Sequence, residues 1–371
     1  MTESDRETLL NKAKRYSSIK YGLTILEVAY QLILLFMFLG SGLSKTLVLL
    51  IFRFTANNFL VSGLYLCIVF VAYYLLNLPL IFYRSYTLEH RFCLSNQTIK
   101  DWVSDQIKAG IISYVIAVFL VEAFYYILKH YIHTWWLFIS LFWIFFSLIF
   151  ARLIPVIIIP LFFKYKKLSD GVLRKLIMKL ADKMKVKILD CFEIDFSKKT
   201  LKANAAFVGW GATRRVILAD TLKDKYSYDE IEVILAHEFA HYKLRHLLKL
   251  VLVNSSTIVL VFYIIFITSD KFLNLFGFSS LWDIAALPVI LIYFVIFGII
   301  MQPAEFYISR RLEKNADILA LKITGLKDAF ISMMEKLSFQ NLADRKPKTL
   351  IKFFFFDHPP IDERITMARN L

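Results

Sequence analysis

Apolar residues gather into bilayer-length stretches at six places in this chain. They lie at about 22–40, 61–83, 110–128, 135–162, 247–269 and 284–307. Each comes close to or exceeds the ~20 residues that a helix needs to cross ~30 Å of hydrocarbon. They predict six transmembrane helices. A further stretch, Leu43 to Leu60, is shorter and carries Arg53, Asn57 and Asn58. It predicts a half-span, a re-entrant piece or a seventh crossing. Glu27, Gln31, Asn77, Glu122, Gln302 and Glu305 fall within or at the edges of these runs. Ionisable groups at such depth face a bundle interior or a wet cavity, and Glu27 and Glu305 also fit the headgroup level.

A different pattern fills 164–228. Leu168 to Met184 reads as an amphipathic helix, and Lys187 to Phe196 alternates like a strand. Ala203 to Val208 and Arg214 to Ala219 flank Gly209-Trp210-Gly211, which reads as a hairpin. A helical run from Asp229 to Leu250 follows. Ser227-Tyr228-Asp229-Glu230 opens it with a capping-box signature, and Ile231, Ile234, Leu235 and Phe239 recur at helical spacing. The expected fold is an all-α membrane protein with a small sheet. Residues 1–163 form an N-terminal transmembrane domain, and 164–371 form a second domain with two further spans.

Composition agrees with that class. Of 371 residues, 58% are hydrophobic, more than soluble domains carry. The net charge of +15 is unevenly placed. Arg6 to Lys20, Arg84 to Lys108 and Lys164 to Lys249 are basic, whereas the 129–134 and 270–283 loops hold only Lys129 and Lys271. Six crossings put every basic segment on one side, and the positive-inside rule makes that side cytoplasmic, the 164–228 region included. Membrane topology thus accounts for the charge, and no nucleic-acid partner is expected. Met1 to Lys20 lacks the apolar core of a signal peptide. Cys67, Cys93 and Cys191 are sparse and odd in number, as free thiols are.

The chemistry lies in His237-Glu238-Phe239-Ala240-His241. Two histidines at i and i+4 share a helical face and can grip one metal ion, and the adjacent glutamate can activate water on it. A zinc site of this kind needs a third protein ligand. Glu313 supplies one, in a helical segment from Ser309 that ends near Gly325. Asp317, one turn later, would take the free ring N–H of a ligating histidine. His246 stands off the 237/241 face, and His130 and His133 sit in a short loop, so all three are weaker candidates. The motif implies a zinc hydrolase of peptides at a membrane. The hairpin could pair an extended peptide or serve structure alone.

Several segments together resemble the type I CAAX prenyl proteases, integral-membrane zinc metalloendopeptidases. They are Leu88-Glu89-His90-Arg91-Phe92 through Lys108, Pro155 with Pro160-Leu161-Phe162, Asn204 to Gly209 with Val216 to Leu222, His237 to His246, Ser309 to Asp317, and His358-Pro359 with Arg364. The resemblance implies zinc on His237, His241 and Glu313, with Glu238 as catalytic base. It implies that Asn204 and Ala205 contact the substrate backbone and that His358 and Arg364 assist at the tetrahedral intermediate. It further implies a helical barrel of seven spans around a chamber, and a peptide or protein substrate that is membrane-associated or lipidated. Ala240 and Tyr242 depart from the family's usual Gly and Trp. The compact length without a long insertion is like a prokaryotic member, which would sit in the plasma membrane. A membrane quality-control peptidase of the heat-shock type shares the zinc motifs but predicts fewer spans and no Leu88–Lys108 signature. A transporter or insertion factor with a vestigial zinc site predicts that Glu238 can be replaced without loss of biological activity.

Overall fold

The computed structural model describes residues 3–209 and 214–371. Six of its helices are long and apolar enough to span a bilayer: Glu3–Gly40, Asn58–Arg91, Ile99–His130, Trp135–Phe162, His246–Leu275 and Ile284–Thr324. All six expected spans fall within them. Several run well past the apolar stretch into polar territory. The last carries the chain from the membrane to Glu313 and Asp317 in one helix, where the sequence suggested two segments.

The 43–60 stretch is not a seventh full span. Its helix, Leu43–Phe52, has ten residues and is about 15 Å long, half the hydrocarbon thickness. Lys45 Nζ donates to the carbonyls of Phe276 and Gly277 at 2.9 and 2.6 Å, and Ser44 Oγ donates to that of Ala285 at 2.6 Å. The short helix therefore packs on the turn between the last two spanning helices. Asn57, read as a polar interruption, caps the next helix by accepting from the amides of Phe59 and Leu60.

The N-terminus returns to the polar domain. Arg6 pairs with Glu335 at 3.0 Å, and Ser17 Oγ donates to the Leu342 carbonyl at 3.1 Å. Lys202 pairs with Glu89 at 2.6 Å. Six crossings thus place the N-terminal turns, the 88–108 segment and the polar domain at one end of the bundle.

Among the described residues, buried apolar side chains form three separate clusters. One, around Tyr65, Phe124, Ile139, Phe262 and Val289, ties the spans together at the end away from the polar domain. A small one joins Ala13, Tyr16, Leu88 and Leu342. The third is the core of the polar domain, with Leu173, Val216, Leu235, Phe239 and Ala320. Between the ends few side chains are buried. In the most apolar window of the Glu3–Gly40 span only 11% of residues are buried, and in that of Trp135–Phe162 none are. A close-packed bundle buries one face of every helix. Most side chains in these windows are instead at least partly exposed, as lipid-facing or cavity-facing residues are.

Among the described residues, four short strands complete the polar domain: β1 (Tyr165–Lys167), β2 (Asp190–Ile194), β3 (Ala205–Val208) and β4 (Arg215–Ala219). Their order is β1-β2-β4-β3. β3 and β4 pair antiparallel, with Ala205 opposite Leu218 and Val208 opposite Arg215, as the hairpin pattern predicts. Part of its turn, Trp210–Thr213, lies outside the described residues. β2 runs parallel to β4, and β1 pairs with β2. β3 is thereby left at an edge of the sheet.

Candidate metal centre

The H-E-x-x-H helix spans Tyr228–Lys243. Its start is fixed twice. Ser227 Oγ accepts from the Glu230 amide at 3.3 Å, and the Glu230 carboxylate accepts from the Ser227 amide at 2.8 Å, a complete capping box. Glu230 also accepts from Ser332 Oγ at 2.6 Å and from Lys336 Nζ at 2.7 Å, which anchors the cap to the helix Lys327–Gln340. Burial alone would raise the Glu230 carboxyl. Lys336, Ser332 and the Ser227 amide outweigh it and hold the group below its ordinary range. Ile231, Leu235, Ala236, Phe239 and Ala240 are fully buried, so the helix is packed on more than one side. The run expected to reach Leu250 ends earlier. Arg245 adopts a left-handed conformation at φ 54°, and the spanning helix restarts at His246 in a new direction.

His237, His241 and Glu313 converge. His237 Nε2 and His241 Nε2 lie 3.0 Å apart. Glu313 Oε2 is 3.1 Å from His237 Nε2, and Oε1 is 3.2 Å from His241 Nε2. Zinc bonds of 2.0–2.2 Å in a tetrahedron set neighbouring ligand atoms about 3.3 Å apart. The triangle matches that spacing within a few tenths of an ångström. Glu313 Oε2 is buried without a hydrogen bond, an orphan that a cation would satisfy. The donor set, two imidazoles and one carboxylate, suits zinc and leaves a fourth position open. Among the described residues it is the one His/Cys/Asp/Glu cluster with metal-ligand spacing.

The neighbours orient the ligands. His237 Nδ1 lies 2.8 Å from Asp317 Oδ1, so the ring N–H can donate to the carboxylate, which turns Nε2 to the metal. Asp317 is fully buried and is itself held by Arg364, whose Nε donates to Oδ2 at 2.7 Å and whose Nη2 donates to Oδ1. The family resemblance implies a role for Arg364 at the tetrahedral intermediate; here its guanidinium is paired with Asp317. His246, off the 237/241 face by helical spacing, is buried, and its Nδ1 lies 3.1 Å from His241 Nδ1. His246 thus stands to His241 as Asp317 stands to His237. No helical periodicity could reveal this, because the turn at Arg245 folds His246 back. His358 Nε2 approaches Glu313 Oε2 at 3.4 Å, while its Nδ1 contacts Asp357 at 2.8 Å. Burial raises the Glu238 carboxyl above its ordinary range, against the pull of His237 and His241.

β3 lies across the same helix. Phe207 packs edge-on against Phe239 at 5.1 Å and against Tyr242 at 5.9 Å between ring centroids. Asn204, just ahead of the strand, is exposed, and Ala205 is partly so.

Replacing Asp317 by asparagine should weaken zinc binding about 10–100-fold, the usual cost of losing a carboxylate behind a ligating histidine. Competition titration with a chromophoric chelator measures this. Unchanged affinity would detach Asp317 from the metal.

Two family profiles cover the chain. "CAAX prenyl protease N-terminal, five membrane helices" matches residues 3–164, where this fold has four long spanning helices and the short Leu43–Phe52. "Peptidase family M48" matches residues 167–371. An uncharacterized metalloprotease, YhfN, of Bacillus subtilis is 30% identical over 96% of this chain and 85% of its own length. CAAX prenyl protease 1 of Saccharomyces cerevisiae is 31% identical over 79% of this chain and 68% of its own. The crystal structure of S. mikatae Ste24p superposes with a TM-score of 0.87 at 26% identity, covering 97% of this chain and 89% of that one.

Proposed function

The chain belongs to peptidase family M48 and is an integral-membrane metallopeptidase; we propose that it is a zinc endopeptidase acting on an extended segment of a membrane-associated protein. The observation that carries the zinc assignment is the triangle of His237, His241 and Glu313. When bound, zinc supplies Lewis acidity, which acidifies water and polarises a carbonyl. Glu238 takes the proton of the attacking water and passes it to the leaving amine. His358, beside Glu313, donates to the carbonyl oxygen as negative charge develops there, a role typically worth a factor of about 10²–10³. Arg364 acts through Asp317, which keeps the His237 ring in place. The free edge of β3 offers main-chain groups to a substrate strand, with Asn204 and Ala205 at its entry. A chamber between the spans, as the family resemblance implies, would give a substrate tethered to the bilayer room to reach the site.

His358→Ala should lower kcat about 10²–10³-fold with little change in KM, because the interaction forms mainly in the transition state. Asn204→Ala should raise KM or shift the cleaved bond. Steady-state kinetics on a quenched peptide, with product mass spectrometry, separate the two. A His358→Ala enzyme with normal kcat would remove that residue from the mechanism.

The basic end of the bundle, with the metal centre, faces the cytoplasm in this proposal, which for a prokaryotic cell means the inner face of the plasma membrane. Single cysteines in the 129–134 and 270–283 loops should label from outside intact cells, and one at Lys175 should not. Labelling of all three from the same side would overturn the orientation.

A further inference from the structure

A cavity of about 350 Å³ opens beside the metal centre, between the last spanning helix and the C-terminal segments. Five cationic side chains line it: Arg310, Arg311, Lys314, Lys352 and Arg364. Only two carboxylates join them, Asp317 and Glu363. Both are engaged, Asp317 by Arg364 and Glu363 by Lys352 at 2.6 Å. Arg310 is spent on the carbonyls of Lys352 and Phe356. Arg311 and Lys314 remain. Arg311 lies 5.4 Å from the centre of the Tyr307 ring and makes no ion pair among the described residues; nor does Lys314. The cavity therefore carries excess positive charge, with Arg311 and Lys314 exposed and able to meet an anion.

Its depth says which anion. The apolar stretch of the last span ends at Tyr307. At 1.5 Å per residue, Arg310 to Lys314 lie about 5–10 Å further along the helix. The headgroup layer of a bilayer begins where the hydrocarbon ends and is about 5–8 Å thick. Tyr307 sits at the boundary, where tyrosine is enriched. The neighbouring helix Thr349–Phe355 contributes Lys352 to the cavity, yet exposes Leu350 and Phe353, at 72% and 46%. Neither of these apolar side chains lines the cavity, but exposed apolar groups on the helix that carries Lys352 suit acyl chains around a phosphate. A soluble anion would need the cations and would leave these two side chains in water.

We infer that this cavity is a binding site for the phosphate headgroup of an anionic phospholipid, in the leaflet next to the metal centre. Arg311 and Lys314 hold the phosphate, and Leu350 and Phe353 lie among the acyl chains. The bound lipid then sits against the outer side of the Arg364–Asp317 pair.

Native mass spectrometry of the whole chain in micelles tests this, by titration with dioleoyl phosphatidylglycerol, dioleoyl phosphatidylcholine or inorganic phosphate. The first phosphatidylglycerol should bind at least about tenfold more tightly than phosphatidylcholine. Arg311→Gln should weaken it about fivefold, and Arg311→Gln with Lys314→Gln about 30-fold, following the contribution of one cation at an anionic surface. Arg311→Lys with Lys314→Arg should retain it, which separates lost charge from lost fold. Lys175→Gln with Lys179→Gln, exposed and outside the cavity lining, should change nothing. An undiminished first binding step in both Gln variants overturns the site. So does an equal loss in the Lys175/Lys179 control. Displacement of the lipid by millimolar inorganic phosphate would make the ligand a free anion and overturn the lipid assignment.

Discussion

Glu238→Gln should leave the metal bound and the fold intact while peptide hydrolysis falls about 10²–10⁴-fold, the range that a positioned general acid–base contributes. Glutamine keeps the size and the helix propensity of glutamate but cannot carry a proton between water and amine. The substitution leaves the ligand triangle untouched, because Glu238 lies beside His237 in sequence yet belongs to none of its contacts. Turnover of a quenched peptide by protein in lipid bilayers, with metal content measured on the same sample, reads both halves of the expectation. A variant within about tenfold of the parent rate would mean that the proton moves by another group. Unchanged biological activity alongside lost turnover would favour the transporter or insertion-factor reading, in which the metal is vestigial.

Glu313→Ala should have the opposite signature, losing the metal and with it the activity. Two histidines alone leave zinc short of the three protein ligands that hold a catalytic site. Metal content should fall from about one per chain to under about a tenth after dialysis. Alanine is the best helix former, and Glu313 sits inside the 38-residue helix Leu287–Thr324, so the backbone has no reason to change. Zinc retained at full stoichiometry, checked by atomic emission, would show that the third ligand lies elsewhere.

The parts of this molecule that local pattern could announce were legible in the chain. Six apolar stretches appear as six spanning helices, because hydrocarbon leaves the backbone no alternative to a helix. The capping box at Ser227 and Glu230 forms as its spacing indicates, and Gly325 ends the last long helix at φ 71°. Features set by distant neighbours were not legible. β1 has three residues and exists because β2 offers it an edge. The ends of Leu43–Phe52 depend on the turn at Phe276–Ala285 that it packs against. His246 meets His241 only because Arg245 turns the chain. Arg364 finds Asp317 from 47 residues away, and nothing in the spacing marks the pair. The triangle itself lies between these cases. Its histidines share one helical face by periodicity, but Glu313, 72 residues after His241, reaches them only through the packing of two helices.

The central claim is that one zinc ion sits on His237, His241 and Glu313. Anomalous diffraction collected on either side of the zinc absorption edge, from crystals of the whole chain grown with zinc at stoichiometric concentration, tests it most directly. A single edge-dependent peak should appear within about 2.0–2.2 Å of His237 Nε2, His241 Nε2 and a Glu313 carboxylate oxygen. Crystals of active protein with no peak inside that triangle, or with the peak on other side chains, would contradict the account.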